Sequence, residues 1–284
     1  MTWHRKYWDT IDQLYWDPSL LGLASIPKSE WVIDDQYISI PKTRVQRSGS
    51  VYARKGTAVE NGERMRRLEE PLNHIFDIAF GIAASPIIES LLLRPFGWED
   101  SGEFVSLGRE IASRYDGFAN SNTTQQDGYF VSTRTLLGVE LKIDSRTWSG
   151  QVLKYLALMV AEEKLSGRRD QLGLLFITPD SSHESVFRDG GISEDGKLSQ
   201  AFLQGVPDSK INRMIANMLS TDFDHFSDLS GRVSCAHISW MKFADTVFAL
   251  AAQQDGSVGG KTTERLLEGL GLAIREQLGA IPAA

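Results

Sequence analysis

The chain of 284 residues carries one cysteine, Cys235, and only five histidines, at positions 4, 74, 183, 225 and 237. A single thiol excludes an internal disulfide framework, and the histidines show no paired ligand spacing of the kind a zinc site needs. Long hydrophobic runs are lacking as well. The longest, His74 to Leu93, is interrupted by Asp77, Pro86 and Glu89 and reads as a pair of buried helices, so no membrane association is expected. Met1 to Lys6 is not followed by the apolar run of a secretory signal, which points to a reducing, cytoplasmic setting. Basic charge is in deficit: 30 Lys and Arg against 37 Asp and Glu leave a net charge of −7, against a protein that coats nucleic acid non-specifically but compatible with a local basic patch. Repeats and low-complexity segments are missing, which excludes solenoid, collagen-like and coiled-coil architectures.

What is present is the composition of a globular domain, 42% apolar and 24% charged, long enough to bury a sizeable core. Trp3, Tyr7, Trp8, Tyr15 and Trp16 open the chain at spacings that suit one face of a short docking helix. Short strands are expected at 31–33 and 37–40. Then comes a stretch with Lys42, Arg44, Arg47, Arg54, Lys55, Arg64, Arg66 and Arg67 against only Glu60 and Glu63, either a solvated face or a phosphate-contacting patch. Helices follow from about Glu69 to Leu93, broken at Pro86.

After Gly97 the pattern changes to strands: one or two within Phe104–Phe118, one over 127–132, and the clearest over 136–143. A helix from Ser149 to about Leu165, closed by Gly167, leads to a buried strand, Leu172–Thr178, stopped by Pro179. Further on the pattern predicts a helix near 208–219, a loop holding Asp222, Asp224 and His225, a strand over 233–240 and helices over 241–254 and 262–278. Strands alternating with helices in this order imply an α/β fold, a mixed central sheet flanked by helices.

In the strand 136–143 the side chains alternate, so Val139, Leu141 and Ile143 point one way and Glu140 and Lys142 the other. A short turn at 133–135 brings Asp127 near Glu140. Two carboxylates without cysteine or histidine nearby make a hard, oxygen-rich site that suits Mg²⁺ or Mn²⁺. Asp116, in Arg114-Tyr115-Asp116-Gly117-Phe118, has the same Asp-Gly-aromatic setting; spacing to Glu140 favours Asp127. Three acid-x-lysine triplets occur, Glu140/Lys142, Glu162/Lys164 and Asp195/Lys197, but the second lies inside a helix, where i and i+2 diverge, and the third lies in a Gly-containing loop.

Asp127, then Glu140-x-Lys142, then a helix resembles the PD-(D/E)xK nuclease superfamily, and Gln151-Val152-Leu153-Lys154-Tyr155 resembles the Q-x-x-x-Y motif of one exonuclease-like branch. Gln151 and Tyr155, at i and i+4, share a helix face. The resemblance spans about Pro71 to Pro179, with Gln126 where the family tends to keep proline. It implies a restriction-endonuclease-like core over 69–182, with an N-terminal extension (1–68) holding the basic segment and a C-terminal helical part (183–284) continuing the same domain. It implies metal ligation by Asp127 and Glu140, a lysine, Lys142, that orients or activates the attacking water, Gln151 and Tyr155 holding the lysine or the substrate backbone, and a glutamate from the first helix, for which Glu70 and Glu89 are candidates. The expected activity is Mg²⁺- or Mn²⁺-dependent hydrolysis of DNA phosphodiester bonds, with Arg44, Arg47, Arg54 and Lys55 contacting DNA; the alternative is a catalytically inactive nuclease-like nucleic-acid-binding or assembly module. A homo-oligomer is left open. The Asp255–Thr262 segment resembles a phosphate-binding loop only superficially, because helix rather than strand precedes it.

Overall fold

The computed structural model describes residues 2–16, 32–34, 37–39, 69–107, 111–115, 127–143, 149–179, 183–198, 202–203 and 213–279. Its helices are α1 (Trp3–Trp16), α2 (Glu69–Ile82), α3 (Ser85–Ile88), α4 (Ile111–Arg114), α5 (Ser149–Ser166), α6 (His183–Gly190), α7 (Arg213–Thr221), α8 (Phe223–Arg232), α9 (Trp240–Ala252) and α10 (Val258–Gly279). A two-stranded antiparallel pair is formed by β1 (Val32–Asp34) and β2 (Tyr37–Ser39). The central sheet has the order β3 (Val105–Ser106), β4 (Gly128–Val131), β5 (Thr135–Leu141), β6 (Gln171–Thr178) and β7 (Ser234–Ser239). β4 runs antiparallel to both its neighbours, whereas β5, β6 and β7 are mutually parallel. Three residues suffice to link β4 to β5, while each parallel step needs a helical crossover, α5 for the first and α6, α7 and α8 for the second.

Side-chain alternation along the strands divides the interior into two layers. Tyr129, Leu136, Leu174, Phe176 and Cys235 pack under α5, with Phe187, Ile215 and Leu229 from the helices around it. Leu137, Val139, Leu141, Ile143, Leu175 and Ile177 face the other way, against α2, α9 and α10. β6 is therefore buried on both faces, which explains its nearly continuous apolar run. α5 ends at Gly167, whose φ of +86° continues the chain in the left-handed region while its N–H bonds Glu163 O at 2.9 Å.

Two ion clusters tie α5 to its surroundings. Glu162, completely buried, takes both Nε and Nη2 of Arg114 at 2.8 and 2.7 Å and the Tyr115 hydroxyl at 2.6 Å. Burial alone would raise its pKa, but these donors hold it below the ordinary carboxylate range. Glu163 accepts from Arg232 Nη2 at 2.6 Å, pairs with His225 Nε2 at 3.0 Å and accepts from Arg169 N–H at 2.9 Å. Here too burial opposes ionisation, and the Arg232 guanidinium, the Arg169 amide and His225 together bring the pKa down to about 2.

α1 docks as its aromatic spacing predicts: Trp8 is buried, Tyr7 OH lies 3.2 Å from His74 Nδ1, and Trp3 Nε1 donates to Leu266 O at 3.0 Å. The indole of Trp3 occupies the space that a Cβ at Gly269 would take. Of the one or two strands expected within 104–118 the described residues contain one, the two-residue β3, followed by the helical turn α4, with Leu107, Ile111 and Tyr115 buried in the α5 layer. One expectation is corrected. Asp222, Asp224 and His225 do not occupy a loop: Asp222 precedes α8 and the other two lie within it, since Phe226, Leu229 and Ser230 give that segment a buried helical face. None of the described helices is long and apolar enough to cross a membrane.

Candidate active site

The strand β5 and the extension just past its end deliver Glu140 and Lys142 to the face covered by α5, and the opposite alternation is complete, with Val139, Leu141 and Ile143 in the other layer. Both polar side chains are buried: Lys142 Nζ stands 2.5 Å from Glu140 Oε1, with the two side chains 5% and 7% exposed. From α5, Gln151 Nε2 donates to the same Oε1 at 2.7 Å. The Tyr155 hydroxyl lies against Val139 O and 3.0 Å from Glu140 Oε2. The i, i+4 pair on α5 thus meets the strand with the face that its spacing defines. Gly138 makes this approach possible, because a Cβ there would come within 2.3 Å of Tyr155 Cδ1. Burial pushes the Tyr155 phenol well above its ordinary pKa, and the charges of Glu140 and then Asp127 push it further, so it stays a neutral donor.

Asp127 precedes β4, whose first pair is Gly128 with Val139, so it stands one step beyond, beside Glu140 at the end of the ladder. Its Oδ2 accepts the Leu141 N–H at 2.7 Å, and its Oδ1 accepts from Asn73 Nδ2 of α2 at 2.6 Å. Tryptophan supports the same strand end from the other layer, with Trp240 Nε1 donating to Lys142 O at 2.7 Å.

Asn73 is the residue that the sequence reading missed. Helix α2 presents this amide to Asp127, whereas Glu89, beyond α3, accepts the Asp100 N–H at 3.0 Å beside Arg94 and Trp98. The signal available in the sequence was position: Asn73 lies one turn beyond Glu70, whose side chain falls outside the described residues. Asp116 and the basic residues Arg44, Arg47, Arg54 and Lys55 also lie outside them.

Among the described residues no three of His, Cys, Asp and Glu gather where they could hold a metal ion. The donor set nevertheless fits a hard cation. Asp127 and Glu140 supply carboxylate oxygens, and Asn73 Oδ1 is a buried acceptor without a hydrogen-bond partner, next to Asp127. Mg²⁺ requires no more, since it keeps several waters and takes one or two carboxylates together with substrate phosphate.

Comparison with known proteins adds no relative: no family model, no curated protein and no solved structure matches this chain.

Proposed function

We propose that this protein is a metal-dependent deoxyribonuclease of the PD-(D/E)xK type, with a restriction-endonuclease-like core. The observation that carries the reading is the junction of strand and helix motifs on one carboxylate, Lys142 and Gln151 both on Glu140 Oε1. The passage from β5 through α5 into parallel β6 supports it further.

In this reading Asp127 and Glu140 hold Mg²⁺ or Mn²⁺, with Asn73 Oδ1 as an added oxygen. A divalent ion bound there supplies Lewis acidity toward the scissile phosphate and lowers the pKa of water. Lys142 orients the attacking water and neutralises charge that develops on the phosphate. Gln151 and Tyr155 keep the Glu140 carboxylate in place, a positioning task that the buried phenol performs without ionising. Arg44, Arg47, Arg54 and Lys55 contact flanking phosphates, each contact adding to the salt dependence of binding.

A second reading, a nuclease-like nucleic-acid-binding or assembly module without turnover, is favoured by one observation: both oxygens of Glu140 already meet protein donors in a site 5% exposed at Glu140 and 4% at Lys142. Cleavage assays separate the two. Linear, circular, single- and double-stranded DNA are incubated with Mg²⁺, Mn²⁺ or chelator. Metal-dependent cleavage that Glu140→Ala abolishes is the expected result, and the circular substrate tells internal from terminal attack. DNA binding with no cleavage of any substrate overturns the nuclease reading.

A further inference from the structure

The hydroxyl of Thr2 is buried and makes no hydrogen bond. Buried hydroxyls are seldom left in this state, since protein or water ordinarily satisfies them. Thr2 immediately precedes α1, in the position where a threonine hydroxyl normally accepts from the N–H two or three residues on. It does not cap here, although the Lys6 N–H bonds Thr2 O at 3.3 Å and the helix starts regularly. The first N–H groups of this 14-residue helix therefore keep no side-chain cap, and its positive end stays open. Among the described residues, Thr2, Trp3, Lys6, Arg265 and Glu268 line a cavity of about 730 Å³ where the start of α1 meets α10, a size that suits a small molecule. The other charged groups of the first turn are engaged elsewhere: His4 Nε2 and Arg5 Nη2 stand 3.4 and 3.5 Å from Glu276 Oε1. Lys6 and Arg265 are exposed and form no ion pair with another described residue. The indole of Trp3 is fixed in the wall by its bond to Leu266 O and by its seat on Gly269. Two cations and a helix N-terminus against the single carboxylate of Glu268 give the cavity a positive balance in a chain whose net charge is −7.

We propose that this cavity binds a phosphate monoester, the group that a free nucleotide and the 5′-phosphorylated end of a nucleic-acid strand share. A monoester carries a charge of about −1.5 to −2 at pH 7 and three acceptor oxygens. The Lys6 ammonium, the Arg265 guanidinium and the Thr2 hydroxyl are donors for those oxygens, and the open N–H groups of α1 favour the same charge. Trp3 offers the organic part of the ligand an apolar wall that an inorganic ion leaves unused. The site lies on α1 and α10, away from Glu140 and Lys142, and does not rest on the nuclease reading.

Calorimetry in the presence of chelator, which keeps metal from drawing phosphate to Asp127 and Glu140, tests the site. The probes are AMP, adenosine, inorganic phosphate, and one oligonucleotide with either a 5′-phosphate or a 5′-hydroxyl. AMP is expected to bind, inorganic phosphate to bind more weakly and adenosine not to bind. Lys6→Gln and Arg265→Gln should each weaken AMP binding about tenfold, the worth of one charge-assisted hydrogen bond. Both side chains are exposed, so these variants keep the fold. Thr2→Val should weaken binding by less and leave Tm unchanged or raised, because it removes a buried hydroxyl that has no partner; a threonine with a merely structural role would lower Tm instead. Binding of the 5′-phosphorylated oligonucleotide, but not of its 5′-hydroxyl form, shows that a strand end enters the site, and binding of AMP alone assigns it to a free nucleotide. No binding of any phosphate, equal binding of AMP and adenosine, or an AMP affinity that Lys6→Gln and Arg265→Gln both leave unchanged overturns the proposal.

Discussion

Glu140, near the end of β5, and Lys142, the residue just past that end, form an ion pair of 2.5 Å that is almost wholly out of water. A buried pair of this kind is weak evidence for stability, because desolvation offsets much of the attraction, but removing one partner leaves the other uncompensated.

Lys142→Met should therefore fold with a loss of stability of up to about 3 kcal/mol, since Gln151 and Tyr155 still donate to Glu140. Its DNA cleavage should fall by more than 100-fold, while Mn²⁺ binding by calorimetry persists or tightens once the competing cation is gone. Glu140→Ala should lose both. Parent-level cleavage by Lys142→Met would show that the lysine has no part in the reaction.

Asn73→Asp replaces a donor to Asp127 Oδ1 with a second carboxylate. Without metal the two like charges repel, and thermal unfolding should occur several degrees lower. With millimolar Mn²⁺ the new oxygen joins the donor set, and the variant should gain more in Tm than the wild type. A Tm deficit that Mn²⁺ leaves untouched would remove Asn73 from the metal side of the site.

Gly138→Ala tests how α5 reaches the strand. The added Cβ would stand 2.3 Å from Tyr155 Cδ1 and 2.8 Å from Leu174 Cδ2, so the tyrosine must move. Overpacking of this kind costs about 1–3 kcal/mol, and activity should drop with the displaced hydroxyl. Tyr155→Phe, which keeps the ring, should lose about 1–2 kcal/mol by leaving Val139 O without its donor. Retention of full stability in Gly138→Ala would contradict the close approach.

Glu163 contributes to the acid limb of stability. Its pKa is lowered from 4.5 to about 2 in the folded chain, so it stabilises the fold above its unfolded value, and that contribution is lost as pH falls through the folded one. The contribution is on the order of 3 kcal/mol and disappears between about pH 4.5 and 2. Urea denaturation across this window should show a shallower decline for Glu163→Gln than for the wild type; parallel curves would mean that Glu163 is not held ionised by Arg232.

Much of this arrangement was legible in the sequence because it follows from local periodicity. The alternation around Glu140 and Lys142 named the strand face, the spacing of Gln151 and Tyr155 named the helix face, and Gly167 and Pro179 marked the ends of α5 and β6. Where an element's character rests on packing, the reading failed: Asp224 and His225 look like loop residues, but Phe226, Leu229 and Ser230 bury one face of that segment and make it helix.

The sequence by itself determined the α/β class, the α5 face that carries Gln151 and Tyr155, and the chemical identity of an oxygen-donor, lysine-bearing strand, since each depends on residues within one turn or one pleat of each other. Tertiary structure alone decided that Asn73, and not Glu89, meets Asp127, and that His237 stands in the same row as Glu140. Those pairings join segments 54 and 97 residues apart, and helix packing and strand register, which no local pattern encodes, set which side chains converge.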